Sequence, residues 1–186
     1  MAFLTELWLP ILLSAVFVFF ASSVLHMVVP IHKSDCKQMA DEAAVLEALR
    51  SGGVKTGNYA FPWAPSMKEM GSPEMLAKVE SGPCGFITVL PPGGWNIGKS
   101  LTGWFVFCLM VGTLVAYLGW HALGAGASYL DVFRITGTAA IMVYAVGHFH
   151  DSIWKGINWS TTGKFVFDGV VYSLLTAGTF GWLWPG

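Results

Sequence analysis

Residues 7–29 read LWLPILLSAVFVFFASSVLHMVV, a run of 23 without a formal charge. About 20 mostly apolar residues at 1.5 Å each cross a hydrocarbon layer, and a helix pairs every backbone N–H within itself. Residues 101–123, 130–149 and 165–184 are similar runs. The expected fold class is therefore an all-α membrane protein with four transmembrane helices. Composition agrees, since 54% of residues are hydrophobic and 11% charged, against about 25% charged in soluble domains. Pro10 falls in the first turn of the first run, where its missing N–H does no harm. Asp131 and Arg134 share the first turn of the third run at pairing distance. Asp168 is expected in the first turn of the fourth, where the helix dipole favours an anion. A cleaved signal peptide is the alternative for the first run, on Ala21-Ser22-Ser23. No Lys or Arg precedes it, however, and it exceeds the 7–15 apolar residues of a signal core, so an uncleaved anchor is expected.

The domain organisation follows: a first transmembrane helix over 1–30, a small cytoplasmic α+β insert over 31–100, and a three-helix transmembrane region over 101–186. In the insert, Asp41 can cap a helix with Val45, Leu46 and Leu49 as its apolar stripe and Gly52 as its left-handed end. Ser72-Pro73-Glu74 opens a second helix as cap, proline and dipole-matched acid, and Gly82 closes it. Residues 58–61 and 86–90 read as strands. The Pro-rich piece YAFPWAPSM is either a surface that leans on the membrane or a neighbour, or a loop packed on its own small domain.

Lys33, Lys37, Arg50, Lys55, Lys68, Lys78, Lys99, Lys155 and Lys164 all fall in the two loops that four spans place on one side. The positive-inside rule makes that side cytoplasmic and puts both termini outside. Trp8, Trp95, Trp120, Trp154, Trp159, Trp182 and Trp184 lie near expected span ends, as an aromatic belt requires.

Ten Lys+Arg against eleven Asp+Glu leave no basic excess, so nucleic-acid binding is not expected. Cys36, Cys84 and Cys108 are too few and too odd in number for a disulfide scaffold. Residues 93–100, GGWNIGKS, match a phosphate-binding loop and follow a strand-like FITVL. The helix that would receive the phosphate is the second span, and the insert is too short for the parallel sheet such a loop requires. Lys99 is better read as marking the cytoplasmic edge, with the glycines forming the turn that leads into the span.

Histidines are the other chemical candidates. His26, His32, His148 and His150 are all expected at one depth on the cytoplasmic side, and imidazoles held so could ligate a transition metal or clamp a haem iron. They are also ordinary interfacial side chains, and His148 and His150, two apart, share a ligand only if the helix ends there. His121 has no visible partner at the other side. In the fourth span Gly169, Ser173, Ala177 and Gly181 recur every fourth residue, and Cys108, Gly112 and Ala116 repeat the pattern in the second. Such small residues let helices approach closely, within one bundle or against another protein. No charge falls in the middle third of any expected span, which weighs against an ion or proton pathway.

With VVPIHKSD, the MGSPEM helix start, LPPGGWNIGKSL and the closing FDGVVYSLLTAGTFGWLWP, the chain resembles a set of small, uncharacterised bacterial inner-membrane proteins over most of its length. The resemblance implies a bacterial inner-membrane location and brings no activity and no catalytic residue. The functional expectation is a non-enzymatic accessory or structural membrane subunit, with the lipid bilayer and other subunits or itself as partners and no cofactor. The alternative is a metal- or haem-binding redox protein using the four histidines.

Overall fold

The computed structural model describes residues 2–186. In chain order its elements are α1 (Ala2–Glu6), α2 (Trp8–Met27), a 3-10 turn (Pro30–Ser34), α3 (Glu42–Ser51), β1 (Gly57–Phe61), α4 (Met67–Met70), α5 (Pro73–Ser81), β2 (Gly85–Val89), α6 (Ile97–Ala122), α7 (Tyr129–Tyr144), a 3-10 turn (Val146–His148), α8 (Phe149–Lys155) and α9 (Trp159–Trp182). They form two compact units. Residues up to Cys36 join Ile97–Gly186 in one, and Lys37–Asn96 make the other. The insert expected from residue 31 thus begins later, because the segment around His32 belongs with the helices.

Three helical runs are long and apolar enough to cross a membrane: Trp8–Met27, Ile97–Ala122 and Tyr129–Lys155. This differs from the expected four. Helix α9 has 24 residues, about 36 Å at 1.5 Å each, but Thr161, Thr162, Lys164, Asp168, Ser173, Thr176 and Thr179 lower its hydropathy. Most of those side chains are buried. Ser173, Thr176 and Thr179 donate to the carbonyls of Gly169, Tyr172 and Leu175 one turn back, at 2.6, 2.9 and 2.7 Å. Their hydroxyls are satisfied inside the helix and tolerate a dry interior.

The helical unit has an apolar core around Val18, Val111, Val132 and Phe180 that also takes in small polar residues, while large apolar side chains cover its surface. Ser14, Thr136, Ser173 and Thr176 are buried, while Phe20, Val106, Met110, Leu114 and Met142 are exposed on its surface. Small residues set the approach of the helices. On α9, a side chain at Gly169 would meet the Tyr144 carbonyl and, at 2.7 Å, the Ala145 Cα. Gly137 of α7 faces Ala177, and Gly181 lies under the Tyr129 ring. On α6, Gly112 faces the Ile11 carbonyl at 3.2 Å and the Ser14 hydroxyl at 3.3 Å, with Ala116 fully buried. Trp184 Nε1 donates to the Gly124 carbonyl and Gly126 N–H to the Pro185 carbonyl, tying the C-terminal residues to the turn between α6 and α7.

The third run departs from the expected straight helix over 130–149. It leaves the α conformation after Tyr144, tightens through Val146–His148 and resumes as α8, which ends on left-handed Gly156. The break begins beside Gly169, where the Tyr144 carbonyl sits against a neighbouring helix.

In the second unit, β1 and β2 pair antiparallel from Gly57↔Val89 to Phe61↔Gly85. Asp41 accepts from the Ala44 N–H and Ser72 from the Met75 N–H, capping α3 and α5. Gly82 ends α5 at φ 60°. Gly52 remains right-handed at φ −73°, and the left-handed residue after α3 is Gly53 at φ 66°. The helix makes one more turn bond, from Gly52 N–H to the Ala48 carbonyl, before it reverses.

Candidate metal centre

His26 lies in the last turn of α2. Pro30 then starts the 3-10 turn, bringing His32 back onto it, so the two imidazoles stack with centroids 4.2 Å apart and planes 8° from parallel. Facing them is Asp168 of α9. Because α9 starts six residues before the expected span, Asp168 is its tenth residue and stands in the third turn, beyond reach of the helix dipole. It is also only 2% exposed. What holds this carboxylate is histidine. His32 Nε2 is 2.9 Å and His26 Nε2 3.7 Å from Asp168 Oδ2.

The outer partners determine what each ring presents. His26 Nδ1 is 3.1 Å from the Ser22 carbonyl; a carbonyl only accepts, so Nδ1 carries the proton and Nε2 presents a lone pair. His32 Nδ1 is 2.6 Å from Asp35 Oδ2. His32 thus lies between two carboxylates, Asp35 on Nδ1 and Asp168 on Nε2; the Nδ1–H form donates to Asp35 and leaves Nε2 as a ligand atom, the usual orientation of a metal-bound histidine. Asp35 is itself anchored, since Lys164 Nζ lies 2.7 Å from its Oδ1 and 2.7 Å from the Ser34 hydroxyl. Burial works to raise the Asp35 carboxyl, but hydrogen bonds from Lys164 and His32 outweigh it and hold the group below its ordinary value. Lys164 and Asp168 are one turn apart on α9, so the same helix face clamps both ends of the arrangement.

His26 Nε2, His32 Nε2 and Asp168 Oδ2 all lie within 4.8 Å of one another. With a proton on Nε2, His32 donates to the carboxylate; with that nitrogen deprotonated the three atoms can serve as ligands, one of the parallel rings turning so that both lone pairs meet a single ion. Ligands about 2.1 Å from one ion lie about 3.0–3.4 Å apart, which the observed 2.9 and 3.7 Å bracket. Two histidines and a carboxylate suit a borderline divalent ion such as Zn²⁺ or Fe²⁺ and leave further coordination positions open.

The four histidines expected to act together are divided. His26 and His32 meet. His148 is stacked on Phe165, 5.2 Å between centroids, and Phe165 also contacts both His26 and His32. The Phe165 ring thus stands between His148 and the pair. His150 is exposed and outside the group. The stacked pair cannot clamp a haem, since rings 4.2 Å apart leave no space for a porphyrin between them. His121 packs on Tyr117. Asp168 is the ligand that sequence reasoning missed. Its one signal was its position four residues after Lys164, in a helix whose other polar residues are Ser and Thr.

Beside the centre opens a cavity of about 860 Å³. Its rim carries exposed Met27 and Ile97, and its floor holds buried Tyr144, Asp168 and Tyr172. The GGWNIGKS segment makes a turn at left-handed Gly93 and Gly94 and then enters α6. Upstream, β2 pairs only with antiparallel β1 among the described residues, so the parallel sheet of a phosphate-binding loop is not formed. Comparison with known protein families, characterised proteins and solved structures finds no match to the chain.

Proposed function

We propose that the protein is a four-span bacterial inner-membrane protein that holds one divalent transition-metal ion at His26, His32 and Asp168, on the cytoplasmic side. The observation that carries the reading is that three potential ligand atoms lie within 4.8 Å of one another, with the Ser22 carbonyl and the Lys164-anchored Asp35 on the outer nitrogens of the two rings. Buried carboxylates are rare unless paired or bound to metal. Asp168 fits that rule through the two histidines at its Oδ2, as an ion pair with them or as a ligand beside them.

Helix α9 serves as the fourth span in this reading. Its polar side chains face other helices and bond within the helix, so lipid meets only residues such as Phe167 and Leu174. With four spans, the Lys and Arg distribution puts both termini outside. Exposed Trp8, Trp154, Trp159 and Trp182 near helix ends suit the two interfaces. The Gly169, Ser173, Ala177 and Gly181 face packs against α7 within the chain, so an accessory-subunit role would use another surface.

The test is a Co²⁺ titration of protein extracted in mild detergent, read by visible absorption, with Zn²⁺ competition. One equivalent should bind. His32→Ala and Asp168→Asn should each weaken binding at least tenfold, and His150→Ala should leave it unchanged. Binding far below one equivalent, or equal losses from His150→Ala and His32→Ala, would overturn the reading. Native mass spectrometry of the same extract tests the subunit role, through a second polypeptide at fixed ratio.

A further inference from the structure

Two polar atoms in the cavity floor have no partner: Asp168 Oδ1 and the Tyr172 hydroxyl. Both residues are more than nine-tenths buried, at 2% and 4% exposure. They sit four apart on α9, hence on one face, and both line the same cavity. A buried polar atom left unpaired destabilises a fold, so two in one floor mark a place where a ligand's polar group belongs. The proposed ion uses the other carboxylate oxygen, Oδ2, so this feature stands independently of the metal.

The chemistry of the lining narrows the ligand. Aromatic and aliphatic side chains, among them Trp104, Phe107, Leu101 and Val143, make most of the wall. Asp151 and Asp168 line it with His26 and His148, and none of the described lining residues is Lys or Arg. A phosphate or carboxylate head brings only acceptor oxygens, which cannot satisfy the acceptor Asp168 Oδ1. An ammonium would satisfy Asp168 Oδ1 but leave the Tyr172 proton without an acceptor. A hydroxyl satisfies both, donating to Asp168 Oδ1 and accepting from Tyr172 O–H. The volume, about 860 Å³, falls in the range of small-molecule sites, about 300–1,000 Å³.

We infer that this cavity binds an uncharged amphiphile, a long-chain or isoprenoid-like alcohol or phenol, with its hydroxyl between Asp168 and Tyr172 and its apolar body along Trp104 and Phe107. The exposed rim at Met27 and Ile97 lets such a molecule enter from the surface of the helical unit.

The experiment uses the full chain in detergent, with 12-bromododecan-1-ol as probe and bromine quenching of tryptophan emission as readout. 1-Bromododecane and 12-bromododecanoate are the controls. The alcohol should quench saturably, the two controls weakly and without saturation. Trp104→Phe should remove the saturable part, because Trp104 is the tryptophan in the wall. Tyr172→Phe, which keeps the ring, should raise the half-saturating alcohol concentration about threefold to tenfold and leave the controls unchanged. Identical curves for alcohol and hydrocarbon, or an unchanged Tyr172→Phe curve, would overturn the inference. Co²⁺ is titrated into the same samples. Saturable alcohol quenching without stoichiometric Co²⁺ supports the cavity and overturns only the metal; Co²⁺ binding without saturable quenching overturns only the cavity.

Discussion

Asp168 shows how the role of one side chain depends on what stands opposite it. As the expected first-turn acid of a span, it needed nothing beyond the helix dipole. In the third turn, buried, it depends on His32 across 2.9 Å. His32 in turn points correctly only because Asp35 holds its Nδ1. Asp35→Asn can still accept at that nitrogen through its amide oxygen, but it lacks the charge that fixes the tautomer and raises the basicity of Nε2. Loss of such an outer partner typically weakens metal binding about 10–100-fold. We expect Asp35→Asn to lower Co²⁺ affinity by about that factor with the α-helical circular dichroism unchanged. Unchanged affinity would remove Asp35 from the centre. None of this was legible residue by residue, because His32 and Asp168 are 136 positions apart.

Helix pairing is governed by the small residues, and those were legible. A repeat of Gly, Ser, Ala and Gly every fourth position marks a helix face meant for close approach; which neighbour occupies it is a tertiary matter, and on α9 it is α7. Gly169 is the tightest point, since an added methyl meets backbone atoms of Tyr144 and Ala145 rather than a movable side chain. Gly169→Ala should therefore force α7 and α9 apart at a cost of about 1–3 kcal/mol, lowering the temperature at which folded protein is lost in detergent. Gly163→Ala, on the same helix with open space around it, is the control and should not destabilise. Because Ala favours the helix over Gly at both positions, equal effects of the two would show that the Gly169 contact does not limit how closely α7 and α9 approach. The caps at Asp41 and Ser72 and both strands of the insert were also readable, because each rests on neighbours within a few residues. The break after Tyr144 was not. It carries no proline, and it coincides with the α7–α9 contact.

For the molecule as a whole, the four-span arrangement makes a prediction independent of the metal. A phosphatase fused after Gly186 should be active outside the cell membrane and a cytoplasm-dependent fluorescent reporter there dark. The opposite pair of results would overturn that orientation, through either an inverted four-span bundle or three spans with α9 left on the inner side. The number of spans is also where sequence and structure part most instructively. Hydrophobic length and local pattern by themselves determined that the chain has helices long and apolar enough to cross a membrane, roughly where they lie, and how its short helices are capped. Those properties depend on transfer from water and on contacts close in sequence. Only the tertiary structure decided that α9 hides its polar face, that His148 and His150 stay apart from His26 and His32, and that Asp168 completes the group. Each of these depends on which surfaces meet across more than a hundred residues of chain, and a buried charge is tolerable only where another part of the fold supplies its counter-charge.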